Sequence, residues 1–570
     1  MSFQFMKQIF NSTITEKQYL FLLQISIVII SILLGIHVLT DVRLNILGES
    51  HGAHLKAISI AISRLVYGVE GLAGLEQVLK ILEEIPSIST LNLVSENSFA
   101  SYNQLINDTI QKTISIENVD ASLLHGILND QSYLYFVIIS FLLFGMKIES
   151  LSCLWLLIFL SSILIYLYSY RKNISSLLAL WCFLIAIILI VMANPGVGAQ
   201  LISINNYRFI TILGLIPLLH IVFSNDISKK SISDFIFITI QAMFLIFVML
   251  MRGSAQWMLF AIFVSIIYFI WKKMKVLSSN NNSKDYFSNI TIARMFVPLS
   301  VIVFLLLFIS NLIPHFLNKE YDKAYWTTTH GMWHPLVIGL TIDPALYSKY
   351  VCSDKPLHDQ LKGFHPLICE GIRKQTIRSR VYNDILGQPS DMHGFHAAVH
   401  YLRENGSDDQ IGTKDDGTSY FNLNWKKYDE VLKKVYFQII LDDPLDSLFM
   451  YALMKPLKYI KETLMYVKYF GNSVLKSTNK IWVLSFLCIL SGFYYFLIDG
   501  YRKHQNLVER VSIERLTIPL IYLFIIYISS LIPSIVFYSQ SHTIPDSVST
   551  FLALCLFMPF MVVQYLYKKP

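Results

Sequence analysis

Apolar runs alternate with two long polar stretches along this chain of 570 residues. The runs fall near residues 20–40, 133–146, 150–170, 177–193, 208–224, 235–251, 257–271, 295–313, 481–498, 516–538 and 548–566. Several reach the roughly 20 residues that cross a hydrocarbon core as a helix. The polar stretches cover residues 41–131 and 314–480. Within them, residues 51–82 carry apolar positions at helical spacing, which predicts amphipathic helices on a membrane surface. Residues 425–454 repeat the pattern through Tyr428, Val431, Leu432, Val435, Tyr436 and Ile439, with a break at Asp442-Asp443-Pro444.

Basic clusters set the expected topology. Arg171-Lys172, Lys229-Lys230, Lys272-Lys273-Met274-Lys275, Arg502-Lys503 with Arg510 and Arg515, and Lys568-Lys569 each follow or precede a run. If every run crosses, most clusters fall outside, against the tendency of Lys and Arg to stay on the cytoplasmic side. The run 133–146 is the shortest. Removing it from the spans returns every cluster to the inside. The expectation is an all-α integral membrane protein of about ten transmembrane helices with both termini cytoplasmic. Residues 133–146 become a juxtamembrane helix, with Tyr133 and Tyr135 at the interface.

The domain plan follows. Residues 1–271 form an amino-terminal membrane unit that includes an outer loop at 41–149. Residues 272–294, with Ser278-Ser279-Asn280-Asn281-Asn282-Ser283, read as a cytoplasmic linker. A span at 295–313 leads to an extracytoplasmic loop domain at 314–480. Residues 481–570 make a carboxy-terminal unit of three spans. The first run follows Lys7 and Lys17, exceeds a signal-peptide core and lacks a small-x-small cleavage site, so it reads as a retained anchor.

Composition agrees with this class. Apolar residues make up 54% and charged residues only 15% of the chain, where soluble proteins carry about a quarter charged. The net charge of +7 sits at helix ends and loops, so it determines topology and gives no nucleic-acid signature. The inner (plasma) membrane is the expected location. Cys153, Cys182, Cys488 and Cys555 lie in apolar runs as small hydrophobes, while Cys352 and Cys369 share the second loop and could pair.

Candidate chemistry concentrates at the outer ends of spans. Asp41 ends the first run, and Glu49, His51 and His54 follow. A carboxylate there is either a solvated helix end or a general base or metal ligand at the lipid–water boundary. Arg208 and Arg252 break the charge pattern by lying at outer ends, where a guanidinium can bind phosphate in bidentate fashion or snorkel to lipid. The second loop holds eight of the fifteen histidines. His393, His396 and His400 share a face if that segment is helical, and with Asp391 they could hold a divalent metal ion. Gly394 disfavours that helix, and a hydrogen-bonding role for these histidines is the plainer one. Trp333 and His334 offer an aromatic surface of the kind that sugars stack on. No P-loop, dinucleotide fingerprint, Gly-x-Ser-x-Gly elbow or His-Glu-x-x-His stands at a usable position.

With these residues in view, the first 270 or so residues resemble the GT-C class of polytopic membrane glycosyltransferases in layout. The parallels are an anchor ending at Asp41, surface helices over 51–82, Phe141-Leu142-Leu143-Phe144-Gly145, and a run closing at Arg171-Lys172. The resemblance implies a polyprenyl-phosphate sugar donor used on the outer face in cell-envelope glycan assembly. It places Asp41 near the reacting centre, with Glu49 second. The chain departs from the class in lacking an Asp-x-Asp or Asp-Glu pair after the first run. Arg208 and Arg252 would then hold the donor phosphates and the second loop a glycan acceptor. The expected partners are membrane lipid, the lipid-linked donor and that acceptor. Two other readings stay open. A polysaccharide polymerase or ligase of O-antigen type would use Arg373, Arg378, Arg380 and His334. A non-enzymatic transporter or assembly scaffold would instead show a continuous polar path between spans.

Overall fold

The computed structural model describes residues 16–40, 53–67, 72–73, 116–117, 131–193, 209–224, 232–279, 302–307, 443–476, 513–537 and 544–567, with isolated positions between 333 and 441. These residues are helical almost throughout. Helices α1 (Glu16–Thr40), α2 (Ala53–Ile62), α3 (Gln131–Phe144), α4 (Glu149–Tyr170) and α5 (Ile174–Ala193) come first. Then come α6 (Leu215–Phe223), α7 (Ile232–Met251), α8 (Trp257–Ser279), α9 (Pro444–Phe449), α10 (Lys455–Lys476), α11 (Ile513–Phe537) and α12 (Ile544–Tyr567). A two-residue pairing of Leu72–Ala73 with Ile116–Glu117 is the exception among the described residues. Among the described residues, four helices, α1, α4, α7 and α11, are long and apolar enough to cross a membrane.

Contacts at known heights fix the helix directions relative to one another. Gln24, near the start of α1, donates from Nε2 to the Arg171 carbonyl just past the end of α4 (2.9 Å). Gly35, near the end of α1, lies against Leu156 near the start of α4. The two helices are therefore antiparallel. The chain leaves the Thr40 end of α1 and re-enters the bundle at that same end. At 14 residues, α3 is about 21 Å long, short of a roughly 30 Å core.

The end of the bundle near Glu16, here the proximal end, is an aromatic layer. Tyr166 donates its hydroxyl to the Ser176 carbonyl (3.0 Å), and Tyr170 donates to the His220 carbonyl (3.0 Å). The Phe223 ring meets Tyr522 edge-on at 5.4 Å, and Tyr268 meets Tyr522 at 6.0 Å. These contacts join the ends of α4 and α6 to the starts of α5 and α11. Chain direction thus alternates along α4, α5 and α6. Asn173 caps α5 by accepting from the Ser176 amide (3.2 Å) and the Ser175 hydroxyl (2.8 Å).

Helix α5 is the axis of the bundle. Residues 177–188 are buried on every face, as expected of a helix apolar all round. In mid-bundle, Gln241 of α7 donates to the Ser162 carbonyl of α4 (2.8 Å), so this buried amide makes a hydrogen bond across helices.

Several expectations change. Tyr133 is buried and stacks at 5.9 Å on Phe136, which in turn meets Phe247 of α7 at 6.4 Å. It is a packing residue, because α3 docks on α2, α4 and α7. Residues 57–62 of α2 are all buried, so this element is an enclosed helix where a surface amphipathic one was expected. The expected linker starts later than residue 272, since α8 continues through the lysine cluster to Ser279. The break at Asp443 is present, with extended backbone (φ −133°, ψ 66°) and Pro444 opening α9. A π-helical turn, Met450–Met454, joins α9 to α10.

Candidate functional site

Three elements converge at the distal end, where Thr40 lies. A 3₁₀ turn, Phe209–Gly214, leads into α6. Helix α7 ends at Met251, and the extended residue Arg252 (φ −148°, ψ 116°) turns the chain through Gly253–Gln256 into α8. Helix α12 enters from the same end. Gly214 permits the close approach: a β-carbon there would lie 2.8 Å from the Met258 sulfur and 3.3 Å from Val248 Cγ1.

Asp546 sits at this convergence and is fully buried. Its Oδ1 accepts from the Thr211 hydroxyl (2.8 Å) and its Oδ2 from the Trp257 indole N–H (3.1 Å). One carboxylate thereby ties α12 to the 3₁₀ turn and to the first residue of α8. A carboxylate offers about four lone-pair positions, so two donors leave acceptor capacity on the group. Ser547, Ser549 and Thr550 are buried beside it. The distal end thus carries a polar node, in contrast to the proximal aromatic layer.

A second cluster involves α10. Lys455 is fully buried, and its Nζ makes no hydrogen bond among the described residues. The ammonium position lies 4.5 Å from the centroid of the Tyr451 ring. The Tyr451 and Tyr436 hydroxyls are hydrogen-bonded at 3.0 Å. Trp333 packs against Tyr436 (5.7 Å) and Phe437 (5.1 Å), and Lys433 stands 5.5 Å over its ring. Burial, with the nearby charge of Lys458, pulls the Lys455 amine down to about 7. Burial and the Tyr436 contact push the Tyr451 hydroxyl above its ordinary value.

Of the residues singled out in the sequence, Arg252 and Trp333 are described. Arg252 is half-buried at the turn between α7 and α8, and Phe209, which follows Arg208 in the chain, opens the 3₁₀ turn packed on α7. Asp41, Glu49, Arg208, His334, Asp391, His393, His396 and His400 lie outside the described residues, as do Cys352, Cys369, Arg373, Arg378 and Arg380. Among the described residues, no group of three or more His, Cys, Asp or Glu side chains could hold a metal ion. The expected metal ligands fall outside that set.

Sequence reasoning missed Asp546 and Lys455. Asp546 lies two residues before an apolar run and looks like an ordinary solvated helix end. Its distance from Thr211 along the chain hides the pairing. Lys455 is one of several lysines near the end of the second polar stretch, and only the π-turn before it sets it apart. Compared with known protein families, curated proteins and solved structures, the chain matches none.

Proposed function

We propose that the protein is a membrane glycosyltransferase that uses a polyprenyl-phosphate-linked sugar at the outer face, in cell-envelope glycan assembly. On this reading the distal end of the bundle faces outward and both long loops lie above it. Asp41 acts as base or metal ligand, with Glu49 beside it. Arg208 and Arg252 hold the donor phosphates, and the loop bearing Trp333 and His334 receives the acceptor. A divalent metal ion, if one is used, would fall to Asp391, His393, His396 and His400.

One observation carries the reading. The 3₁₀ turn beginning one residue after Arg208 packs on α7, whose last residue precedes Arg252. Thr211, Trp257 and Asp546 lock that corner together. Arg252 and the turn that follows Arg208 in the chain therefore belong to one corner of one end of the bundle, which supports reading the two arginines as a phosphate clamp. Inverting transfer then needs a base aligned with the acceptor hydroxyl and stabilisation of the departing phosphate.

The test is transfer from polyprenyl-phosphate-linked sugars by the full-length protein in vesicles. Asp41→Asn is expected to abolish transfer while expression and insertion persist. Transfer by Asp41→Asn at the parent rate removes the assignment. The polymerase or ligase reading draws support from the packed aromatic surface of Trp333, Tyr436 and Phe437. It predicts the opposite ranking, with His334→Ala and Arg380→Ala inactive and Asp41→Asn active.

A further inference from the structure

The outer flank of the bundle carries a groove between α1 and α4, two of the four described helices able to cross a membrane. It encloses about 400 Å³. Its walls are Phe21, Ile25, Val28 and Ile29 of α1 with Leu167 and Tyr168 of α4. All but Leu167 are exposed, so the groove is open to the surroundings. It lies outside the ring-packed proximal layer, since Tyr168 faces outward whereas Tyr166 and Tyr170 are buried.

Gln24 and Arg171 complete the lining and make it polar at one height. The Gln24 amide, bonded to the Arg171 carbonyl at 2.9 Å, holds the turn after α4 beside α1. The Arg171 guanidinium lies over the Tyr168 ring, 4.7 Å from its centroid, and Phe237 of α7 meets that ring edge-on at 5.3 Å. A guanidinium held on a ring keeps its fork of N–H donors for an anion. From this height Ile25, Val28 and Ile29 run toward the middle of the bundle, and the exposed Ile32 and Ile36 continue them. At about 3.6 residues per turn, these five positions fall within about 100° of the α1 axis. On α4, residues 157, 164, 167, 168 and 171 fall within a similar arc, and Leu157 and Leu164 are exposed. The cation and the apolar row thus share one open face. From Ile25 to Ile36 the row is about 16 Å long, close to half of a roughly 30 Å core, the depth of one leaflet.

We propose that this groove binds one phospholipid with a net negative headgroup, its phosphate on Arg171 and an acyl chain along the Ile25–Ile36 row. Charge placement identifies the occupant. Lys172 is exposed beside Arg171, and Lys17 is exposed one turn before Phe21 on the same side of α1. Residues 25–36 and 151–167 carry no charge at all. A basic end above an apolar stretch of one leaflet's depth matches an anionic lipid. A free phosphate would leave the row bare, and an apolar helix of a second copy would make no use of the cations. The site concerns binding at the end opposite the Arg252 corner and does not depend on the transfer reaction proposed above.

The experiment follows the thermal midpoint of the full-length protein in a zwitterionic detergent. Three probes are titrated: short-chain phosphatidylglycerol, the matching phosphatidylcholine, and glycerol 3-phosphate. Phosphatidylglycerol is expected to raise the midpoint of the parent protein at concentrations where the other two have little effect. Arg171→Gln is expected to lose roughly fivefold in apparent affinity for it, while Lys461→Gln, which removes an exposed charge from α10, keeps the parent response. Arg171→Gln is expected to fold, because the bond to Gln24 uses the backbone carbonyl. Val28→Trp fills the groove from an exposed position and is expected to abolish the rise. An undiminished rise in Arg171→Gln or in Val28→Trp overturns the site. An equal rise with phosphatidylcholine overturns the anionic headgroup, and an equal rise with glycerol 3-phosphate overturns the apolar row as part of the site. A lipid-free dimer that Val28→Trp dissociates overturns the lipid as occupant.

Discussion

Replacing Lys455 with methionine should stabilise the protein near neutral pH, and the gain should shrink as pH rises. In the unfolded chain the amine keeps its proton up to its ordinary value of 10.5, whereas in the folded protein burial brings that value down to about 7. Between these two values unfolding takes up a proton, so the stability of the parent protein rises with pH across that window. At about 1.4 kcal/mol per tenfold change in proton affinity, the buried amine withholds about 4 kcal/mol at pH 7 and about 2 kcal/mol at pH 9. Tyr451, whose hydroxyl is pushed upward, stays neutral throughout and adds no slope. The assay is the difference in thermal or denaturant midpoint between Lys455→Met and the parent, measured from pH 6.5 to pH 9 in lipid-free detergent. The difference cancels groups common to both proteins. It should fall by about 2 kcal/mol between pH 7 and pH 9. A difference that does not change with pH, or that grows with it, refutes the buried-amine reasoning.

Other positions allow independent tests. Asp546→Leu leaves the buried Thr211 hydroxyl and Trp257 N–H without their acceptor and should cost roughly 2–5 kcal/mol. Trp257→Phe and Thr211→Val should each cost less, and a double-mutant cycle in thermal stability should show coupling through the carboxylate. Gly214→Val should destabilise more than Gly214→Ala, since Met258 can swing aside from one carbon while Val248 cannot clear a branched side chain. Gly145, at φ +88° with open space around its α-carbon, should lose roughly 1 kcal/mol on change to Ala and less on change to Asn, as read by midpoint. Tyr170→Phe should cost about 1 kcal/mol through the lost bond to the His220 carbonyl.

Much of the bundle was legible in the chain because hydrophobic length and charge placement are local signals. The demotion of residues 133–146 rested on the shortness of the run and on the basic clusters together. The antiparallel setting of α1 and α4, by contrast, is carried by side-chain contacts, Gln24 with Arg171 and Gly35 with Leu156, that no local signal announces. Signals of side-chain environment were not local. Tyr133 resembles an interfacial tyrosine in sequence, yet three helices close over it. Residues 51–82 show helical periodicity, but periodicity cannot say whether the polar face meets water or another helix, and α2 is enclosed. Arg252 was visible because it violated a charge rule. Asp546 violated none, and its two partners lie 335 and 289 residues away.

The distribution of polarity along the bundle axis bears on where a reaction can occur. At the proximal end the hydrogen bonds of Tyr166 and Tyr170 go to backbone carbonyls, and rings fill the space between helix ends. The two tyrosine hydroxyls are taken up by the protein's own backbone, and the packed rings leave little room for a ligand between the helix ends. The distal end differs in kind. Its helices are joined by a carboxylate, a hydroxyl and an indole, and its turns are short 3₁₀ segments that leave Arg252 extended between them. A side-chain node of this sort holds two helix ends and a turn in fixed relation. Any group that must be presented to a headgroup-sized ligand therefore gains a rigid mount there that the ring-filled proximal end does not offer. This asymmetry makes a direct demand on the Asp546 variants. If the node positions Arg252, Asp546→Asn should weaken binding of a lipid-linked phosphate at a temperature well below its unfolding midpoint, while Tyr170→Phe, which loses a buried hydrogen bond at the opposite end, should leave that binding unchanged. Equal binding losses in the two variants would show that both act through general loosening of the bundle and would remove the distal corner as the seat of recognition.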